Sequence, residues 1–230
     1  MKKVCTLLLT IASLVSLPVR AQLGEEKSIF SVGINGGMNM SSVNFDPKIK
    51  QNKQNVRSGG LTIRYISEKY FSMICGVQLE INYSQRGWNE KIEDGTENTY
   101  NRIMNYIEIP FLAHLAFGSH VRDKGLQFFL NAGPQMGFFL NEKEKMSDGW
   151  DTSARSPTAQ YGKKAENKFD YGIAGGMGFE LNTKIGHFIV EGRYYYGLSD
   201  FFKNSKKEYF GRSAHSYMGI RAAYLFDIFK

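Results

Sequence analysis

A chain of 230 residues, 42% hydrophobic and 14% aromatic with a formal charge of +7, suits one domain and is only mildly basic. So small an excess of cations does not argue for a nucleic-acid partner. Of the two cysteines only Cys75 lies beyond the N-terminal segment read below as a leader, so neither an intrachain disulfide nor a cysteine-built zinc site is expected.

The chain opens with Met1-Lys2-Lys3, runs apolar from Val4 to Leu17, and continues Pro18-Val19-Arg20-Ala21. A basic start, a short apolar core and small residues at Val19 and Ala21 predict a secretory signal peptide over residues 1–21, cleaved before Gln22. The run is too short to cross about 30 Å of hydrocarbon as a helix. Cys5 precedes it, so it is not the lipid-modified first residue of a mature lipoprotein. Cleavage removes Lys2, Lys3 and Arg20 and no acid, taking the charge from +7 to +4. No later stretch approaches the ~18 apolar residues of a helical span. Residues 22–230 are expected to form a single domain.

Eight segments of period two follow. In the first, from Phe30 to Ser41, Phe30, Val32, Ile34, Met38 and Met40 oppose Ser31, Gly33, Asn35, Gly37 and Asn39. The second, Gly60 to Ile66, sets Leu61, Ile63 and Tyr65 against Thr62 and Arg64. The third sets Met73, Cys75, Val77, Leu79, Ile81 and Tyr83 against Gly76, Gln78, Glu80, Asn82 and Ser84. In the fourth, Ile107, Ile109, Phe111, Ala113, Leu115 and Phe117 oppose Tyr106, Glu108, Pro110 and His114. Segment five alternates Leu126, Phe128, Leu130, Met136 and Phe138 with Gln127, Asn131, Gln135 and Gly137. Segment six alternates Phe169, Tyr171, Ile173, Met177, Phe179 and Leu181 with Asp170, Gly172, Ala174, Gly178 and Glu180. Segment seven pits Phe188, Val190, Tyr194 and Tyr196 against His187, Glu191, Arg193 and Tyr195. The eighth pits Met218, Ile220, Ala222, Tyr224 and Phe226 against Tyr217, Gly219 and Arg221.

The gaps alternate in length: long near 42–57, 86–102, 141–168 and 200–213, short near 67–71, 118–125 and 183–186. A soluble sandwich or lipocalin-like barrel also alternates, but with its apolar face inward. Here aromatics close both ends of the apolar face, Phe30, Tyr65, Phe117, Phe188 and Phe226 at one and Tyr83, Phe138, Phe169 and Tyr196 at the other, as two membrane interfaces require. The expected fold is all-β: an eight-stranded antiparallel up-and-down transmembrane β-barrel with short periplasmic turns and long extracellular loops, in the outer membrane of a Gram-negative bacterium. Pro110 and Pro134 fall inside strands and predict bulges.

Several stretches resemble the PorT-like outer-membrane barrels. Ser31-Val-Gly-Ile-Asn-Gly-Gly-Met-Asn39 is similar to their glycine-rich first strand, Tyr106-Ile-Glu-Ile-Pro110 to their Tyr-x-Glu-x-Pro segment, and Asn131-Ala-Gly-Pro134 to the strand after it. Phe169-Asp-Tyr-Gly-Ile-Ala-Gly-Gly-Met-Gly178 and Arg193-Tyr-Tyr-Tyr-Gly-Leu-Ser199 resemble the sixth and seventh strands. The resemblance spans nearly all of the mature chain. It implies an outer-membrane barrel, and, through the member that names the family, an accessory role in type IX secretion with secretion-system proteins as partners.

The inward face gathers Glu80, Glu108, Glu180 and Glu191 with Arg64, Arg193 and Arg221. In an eight-stranded barrel, whose interior side chains just fill, these predict a luminal ion-pair plug. A selectivity ring or proton path is the alternative. Glu80 and Glu108, on neighbouring strands, are expected to share a cation or a proton, with Arg64 and Arg193 as partners. Ser213 and His215, two apart on one strand face, are the only candidates for a lipid-modifying enzyme, and would need Asp200 or Glu208 to orient the base. A structural histidine is the preferred reading, as it is for His114, His120 and His187, which lack metal-ligand spacing. No enzyme, metal or cofactor is expected.

Loop cations offer a third class of contact: Lys48, Lys50, Lys53 and Arg57 in the first long gap, and Lys203, Lys206, Lys207 and Arg212 in the last. They are suited to lipopolysaccharide phosphates or simply to solvent. Trp88 and Trp150 are read as interface anchors or partner contacts. The last strand, ending at Phe226 with Asp227-Ile-Phe-Lys230 beyond, carries the aromatic end that barrel-insertion machinery favours. Expected partners are therefore outer-membrane lipid, lipopolysaccharide and that machinery, and no nucleic acid.

Overall fold

The computed structural model describes residues 28–70, 73–93, 95–118, 124–152, 159–205 and 207–229. The expected leader, residues 1–21 with Cys5, lies outside the described residues, as do His120 and Lys206. The strands are β1 (Ile29–Asp46), β2 (Gln51–Asn52), β3 (Gln54–Tyr70), β4 (Met73–Glu90), β5 (Tyr100–Gly118), β6 (Gly125–Met146), β7 (Phe169–Thr183), β8 (Gly186–Gly197) and β9 (Arg212–Phe229). Every pairing is antiparallel. Each long strand pairs with its neighbours in the chain, and β1 pairs with β9, so the eight long strands return on themselves. The two-residue β2 adds only to the end of β4.

Alternation sets the two faces. Ile34, Leu61, Met177 and Ile220 lie outside at 62%, 58%, 59% and 70% exposure, whereas Arg64, Glu80 and Glu180 lie inside at 1%, 2% and 1%. A continuous outer belt of exposed aliphatic and aromatic side chains around a polar interior is stable only where the surroundings are apolar.

The strands run further than the apolar pattern predicts. The long gaps expected at 42–57, 86–102 and 141–168 shrink to 47–53, 91–99 and 147–168. The reason is an inversion of the alternation. Past the belt, β1 turns Val43 and Phe45 inward, β4 turns Trp88 inward, and β5 turns Tyr100 and Met104 inward, all buried, while Asp46, Lys143 and Lys145 face out. Beyond the hydrocarbon the barrel obeys the ordinary rule for water, apolar in and charged out.

The bulges expected at the two prolines are absent. Ladder pairs lapse beside Pro110, but Leu79↔Phe111 and Asn82↔Glu108 keep one register, as do Pro110↔Gln135 and Ala113↔Ala132. Pro134 pairs with Ile173 in an unbroken ladder. A proline removes a donor but does not insert a residue, so the ladder loses a bond and keeps its phase. The β5–β6 register shifts instead at Asn105/Tyr106, where Leu140 is the extra residue.

The lumen stacks in zones. Near the short turns an apolar layer of Ile29, Ile66, Ile74, Ala116, Phe129, Ile189 and Leu225 closes it. The polar residues occupy the middle. At the other end Val43, Phe45, Ile49, Trp88, Tyr100, Tyr106, Phe201, Phe202 and Phe210 form a buried aromatic cap.

Candidate functional site

The mid-lumen ion network follows from strand parity. Inward positions 78, 80, 82, 84 and 86 of β4 and 191, 193 and 195 of β8 bring their polar groups to the axis. Arg193 donates to both oxygens of Glu80 at 2.8 Å and to Glu191 at 2.7 and 3.0 Å. Arg221 reaches Glu80 at 3.0 Å, and Gln78 and Asn82 each donate to it at 2.7 Å. Glu80 is therefore fully solvated by protein, which buried charge demands. Gly176 makes room for this cluster: a Cβ there would sit 2.3 Å from a Glu191 oxygen and 2.9 Å from the Gly192 carbonyl.

Toward the short-turn end, Arg64 grips Glu180 at 2.5 and 2.7 Å. His187 links Glu180 and Asp227, 2.8 Å from each, and Ser31 donates to Asp227 at 2.6 Å. Toward the cap, Arg86 meets Glu108 at 2.7 Å and Asp170 at 2.5 Å. Its guanidinium lies 4.6 Å from the Tyr106 and Tyr195 ring centres, so the rings cover the face of the cation while Nε and Nη1 are paired at its edge. Tyr217 donates to Glu108 at 2.9 Å and Tyr195 to Asp170 at 2.5 Å.

Glu80 and Glu108 thus have separate cations. Glu108 faces Asn82, one inward step above Glu80, and Arg64 serves Glu180 instead of either. Sequence reasoning missed Arg86 because it assigned residue 86 to a loop. Parity carried past Ser84 would have found it.

Above the network, Arg102 is a second hub. It bridges Glu142 and Glu144, the latter at 2.7 Å, and donates to the Gln160 carbonyl at 3.2 Å and to that of Lys163. Its guanidinium lies 5.4 Å from the Trp88 ring centre and 5.5 Å from that of Phe202. The segment 159–165 is tied across the mouth by these bonds. Trp88, expected at an interface, is instead fully buried, because its strand continues above the belt with the inverted alternation. Trp150 is partly buried against Tyr100 and Tyr161.

Ser213 and His215 face the lumen as their parity requires, but with other partners. The Phe202 N–H donates to the Ser213 hydroxyl at 3.0 Å, and the Ser213 N–H donates to Asp200 at 2.6 Å. His215 lies 3.1 Å from the Tyr106 hydroxyl and stacks on Phe201 with ring centres 4.7 Å apart. Glu208 pairs with Lys163 at 2.7 Å. His114 bonds Asn131 at 2.8 Å. Among the described residues no group of three or more His, Cys, Asp or Glu side chains is placed to hold a metal.

The loop charges are partly self-paired. Hydrogen bonds from Lys50 and Lys91 hold the Glu93 carboxyl down to about 2. The Glu208 carboxylate raises the Lys163 ammonium, and the Lys203 backbone N–H lowers Glu166.

Among solved structures the chain is similar to Ail, the attachment invasion locus protein of Yersinia pestis, at 15% identity over 85% of this chain and 98% of that one, with a TM-score of 0.38. It is similar to OprG from Pseudomonas aeruginosa at 14% identity over 88% and 98%, TM-score 0.46. Neisserial surface protein A aligns at 11% identity over 87% and 97%, TM-score 0.42. No curated protein sequence matches. Residues 20–203 match the family described as outer membrane protein beta-barrel domain. With most of its length matched and its strands closing in a ring around a polar interior, the chain belongs to that family of outer-membrane β-barrels.

Proposed function

We propose that this barrel is a non-enzymatic structural or interaction protein that works through its outward loops and rim and not through its lumen. The observation that carries this reading is the filled interior, apolar at one end, ion-paired in the middle and aromatic at the other. In this reading the Ile29 end of β1, the Phe229 end of β9 and the strand ends flanking the short β3–β4, β5–β6 and β7–β8 connections face the periplasm, and the strand ends flanking the β6–β7 and β8–β9 connections face outward. A small-solute pore would need a continuous path through paired arginines and glutamates, and a lipid-modifying enzyme would need Ser213 and His215 free of the partners they have. Lipopolysaccharide and outer-membrane lipid are its surroundings and the barrel-insertion machinery its assembler.

The finer role follows from the PorT-like segments at Tyr106–Pro110 and Phe169–Gly178: an accessory of type IX secretion. The test is a comparison of secreted proteins between a clean deletion strain and its complemented parent. Sorting-domain cargo is expected to disappear from the medium and accumulate in the periplasm. Unchanged export would discard the secretion role. Ohmic single-channel steps from the purified protein in planar bilayers would discard the closed-lumen reading.

A further inference from the structure

β6 is paired on both sides only as far as the upper edge of the apolar belt. Its ladder with β7 ends at Phe138↔Phe169, and the Phe139 N–H donates to the Lys168 carbonyl at 2.8 Å. Its ladder with β5 runs on, from Asn141↔Asn105 to Met146↔Tyr100. Residues 141–146 are therefore held extended along one edge, with no backbone partner along the other among the described residues.

The segment that leads into β7 does not pair with this edge, because its N–H groups are taken by side chains. The Gly162 N–H donates to the Glu144 carboxylate at 3.2 Å, and the Ala165 N–H to that of Glu142 at 3.0 Å. Both acids are bridged by Arg102 inside the mouth, so these bonds draw the segment over the mouth instead of along the strand.

An open strand edge offers N–H and C=O groups in a row at strand spacing, and an extended polypeptide is the ligand that repeats that row. The outward side chains add a charge preference. Lys143 and Lys145 are exposed, and neither has an acidic partner among the described residues. Their cross-strand neighbours on β5 are the uncharged Ile103 and Asn101. An added strand would set alternate side chains beside the two lysines, where acids are favoured and cations opposed. Pairing of this edge with that of a second copy would bring lysines against lysines, so the geometry disfavours a homodimer. We propose that residues 141–146 take an extended segment of a partner protein as an additional β-strand, with acidic side chains at alternate positions facing Lys143 and Lys145. This partner chemistry deepens the rim-acting reading given above and rests on it.

The test titrates the folded full-length protein, in micelles of an uncharged detergent, with short labelled peptides read by fluorescence anisotropy. One peptide alternates Thr and Glu, a second alternates Thr and Lys, and a third is the Thr-Glu peptide with its backbone amides N-methylated. The acidic peptide is expected to bind about tenfold more tightly than the lysine peptide, as two exposed charge pairs imply. The N-methylated peptide should not bind. Those amides in 141–146 that are not bonded to β5 should exchange fast in the free protein and slow on binding, read by NMR. Lys143→Glu/Lys145→Glu should reverse the preference, whereas Lys48→Glu, elsewhere on the rim, should leave it unchanged. Equal binding of the N-methylated and parent peptides reduces the contact to charge attraction and overturns the added strand. Amides of 141–146 that are all protected in the free protein, or unchanged on binding, overturn it too. An unaltered preference in the Lys143→Glu/Lys145→Glu variant, shown to be folded by its heat-dependent gel shift, overturns the role of the lysines. Conduction is measured in planar bilayers and peptide binding in micelles, so the two readings fail separately. A conducting barrel that takes the peptide sinks the closed lumen alone, and a closed barrel that ignores it sinks the edge alone.

Discussion

The middle of the lumen and its outer cap are built on the same strands yet obey opposite rules. At membrane height β4 sends Glu80 and Asn82 inward and Ile81 and Tyr83 outward; a few residues on, the same strand sends Trp88 inward. β1 does likewise, with Asn39 and Ser41 inward at the belt and Val43 and Phe45 inward above it. Outside the belt there is hydrocarbon, so the polar side chains go in and must satisfy one another. Above it there is water, so the apolar side chains go in and bury area. The two regions therefore owe their order to different forces. The mid-lumen holds by specific charge pairing, which fails badly when one partner is lost. The cap holds by packing, which fails in proportion to the volume removed.

Variants can break that contrast. Removing a network hub should cost most: Arg193→Met leaves the buried Glu191 without its cation and Glu80 with Arg221 alone, and should lower unfolding free energy by about 3–5 kcal/mol, measured by urea titration in phospholipid vesicles. A loss comparable to an ordinary surface substitution would mean that water or a proton replaces the cation easily. Next, Trp88→Ala should cost about 3 kcal/mol as a packing loss, and hydrogen exchange should rise in residues 43–49 and at Phe201, Phe202 and Phe210 while the membrane-level strands stay protected. Uniform deprotection would show that the cap and the barrel fold as one unit. The third variant sharpens the contrast, since deleting a whole pair differs from deleting half. Arg64→Met with Glu180→Leu should stay within about 1 kcal/mol of the parent, because both desolvated charges leave together. A loss as large as that of Arg193→Met would make the pair a net source of stability.

The smallest effect is at the rim. The Lys203 backbone N–H, helped by the ammoniums of Lys163 and Lys203, holds Glu166 below its usual 4.5. Its contribution is complete above that pH and is lost as pH falls through the lowered value. The protection of residues 159–168 and 198–205 against hydrogen exchange, taken relative to the intrinsic rate at each pH, should fall below pH about 4.5, and Glu166→Gln should show the low protection at every pH. A variant that keeps the parent's pH profile would remove Glu166 from the tie.

Strand number, order and facing were legible in the chain because period-two alternation is local: Phe169 to Leu181 declares its two faces without reference to any other segment. The inward set Arg64, Glu80, Glu108, Glu180, Glu191, Arg193 and Arg221 could be read the same way. Two things could not. Where the strands stop depended on the packing of Phe45, Trp88, Phe201 and Phe210, which come from β1, β4 and the β8–β9 connection and meet only in the folded barrel. Which arginine meets which acid depended on pairing across the lumen, as between Arg64 and Glu180, 116 residues apart. Local pattern tells each side chain which side to face. Only the closed ring, with its register between every pair of strands, decides what it finds there.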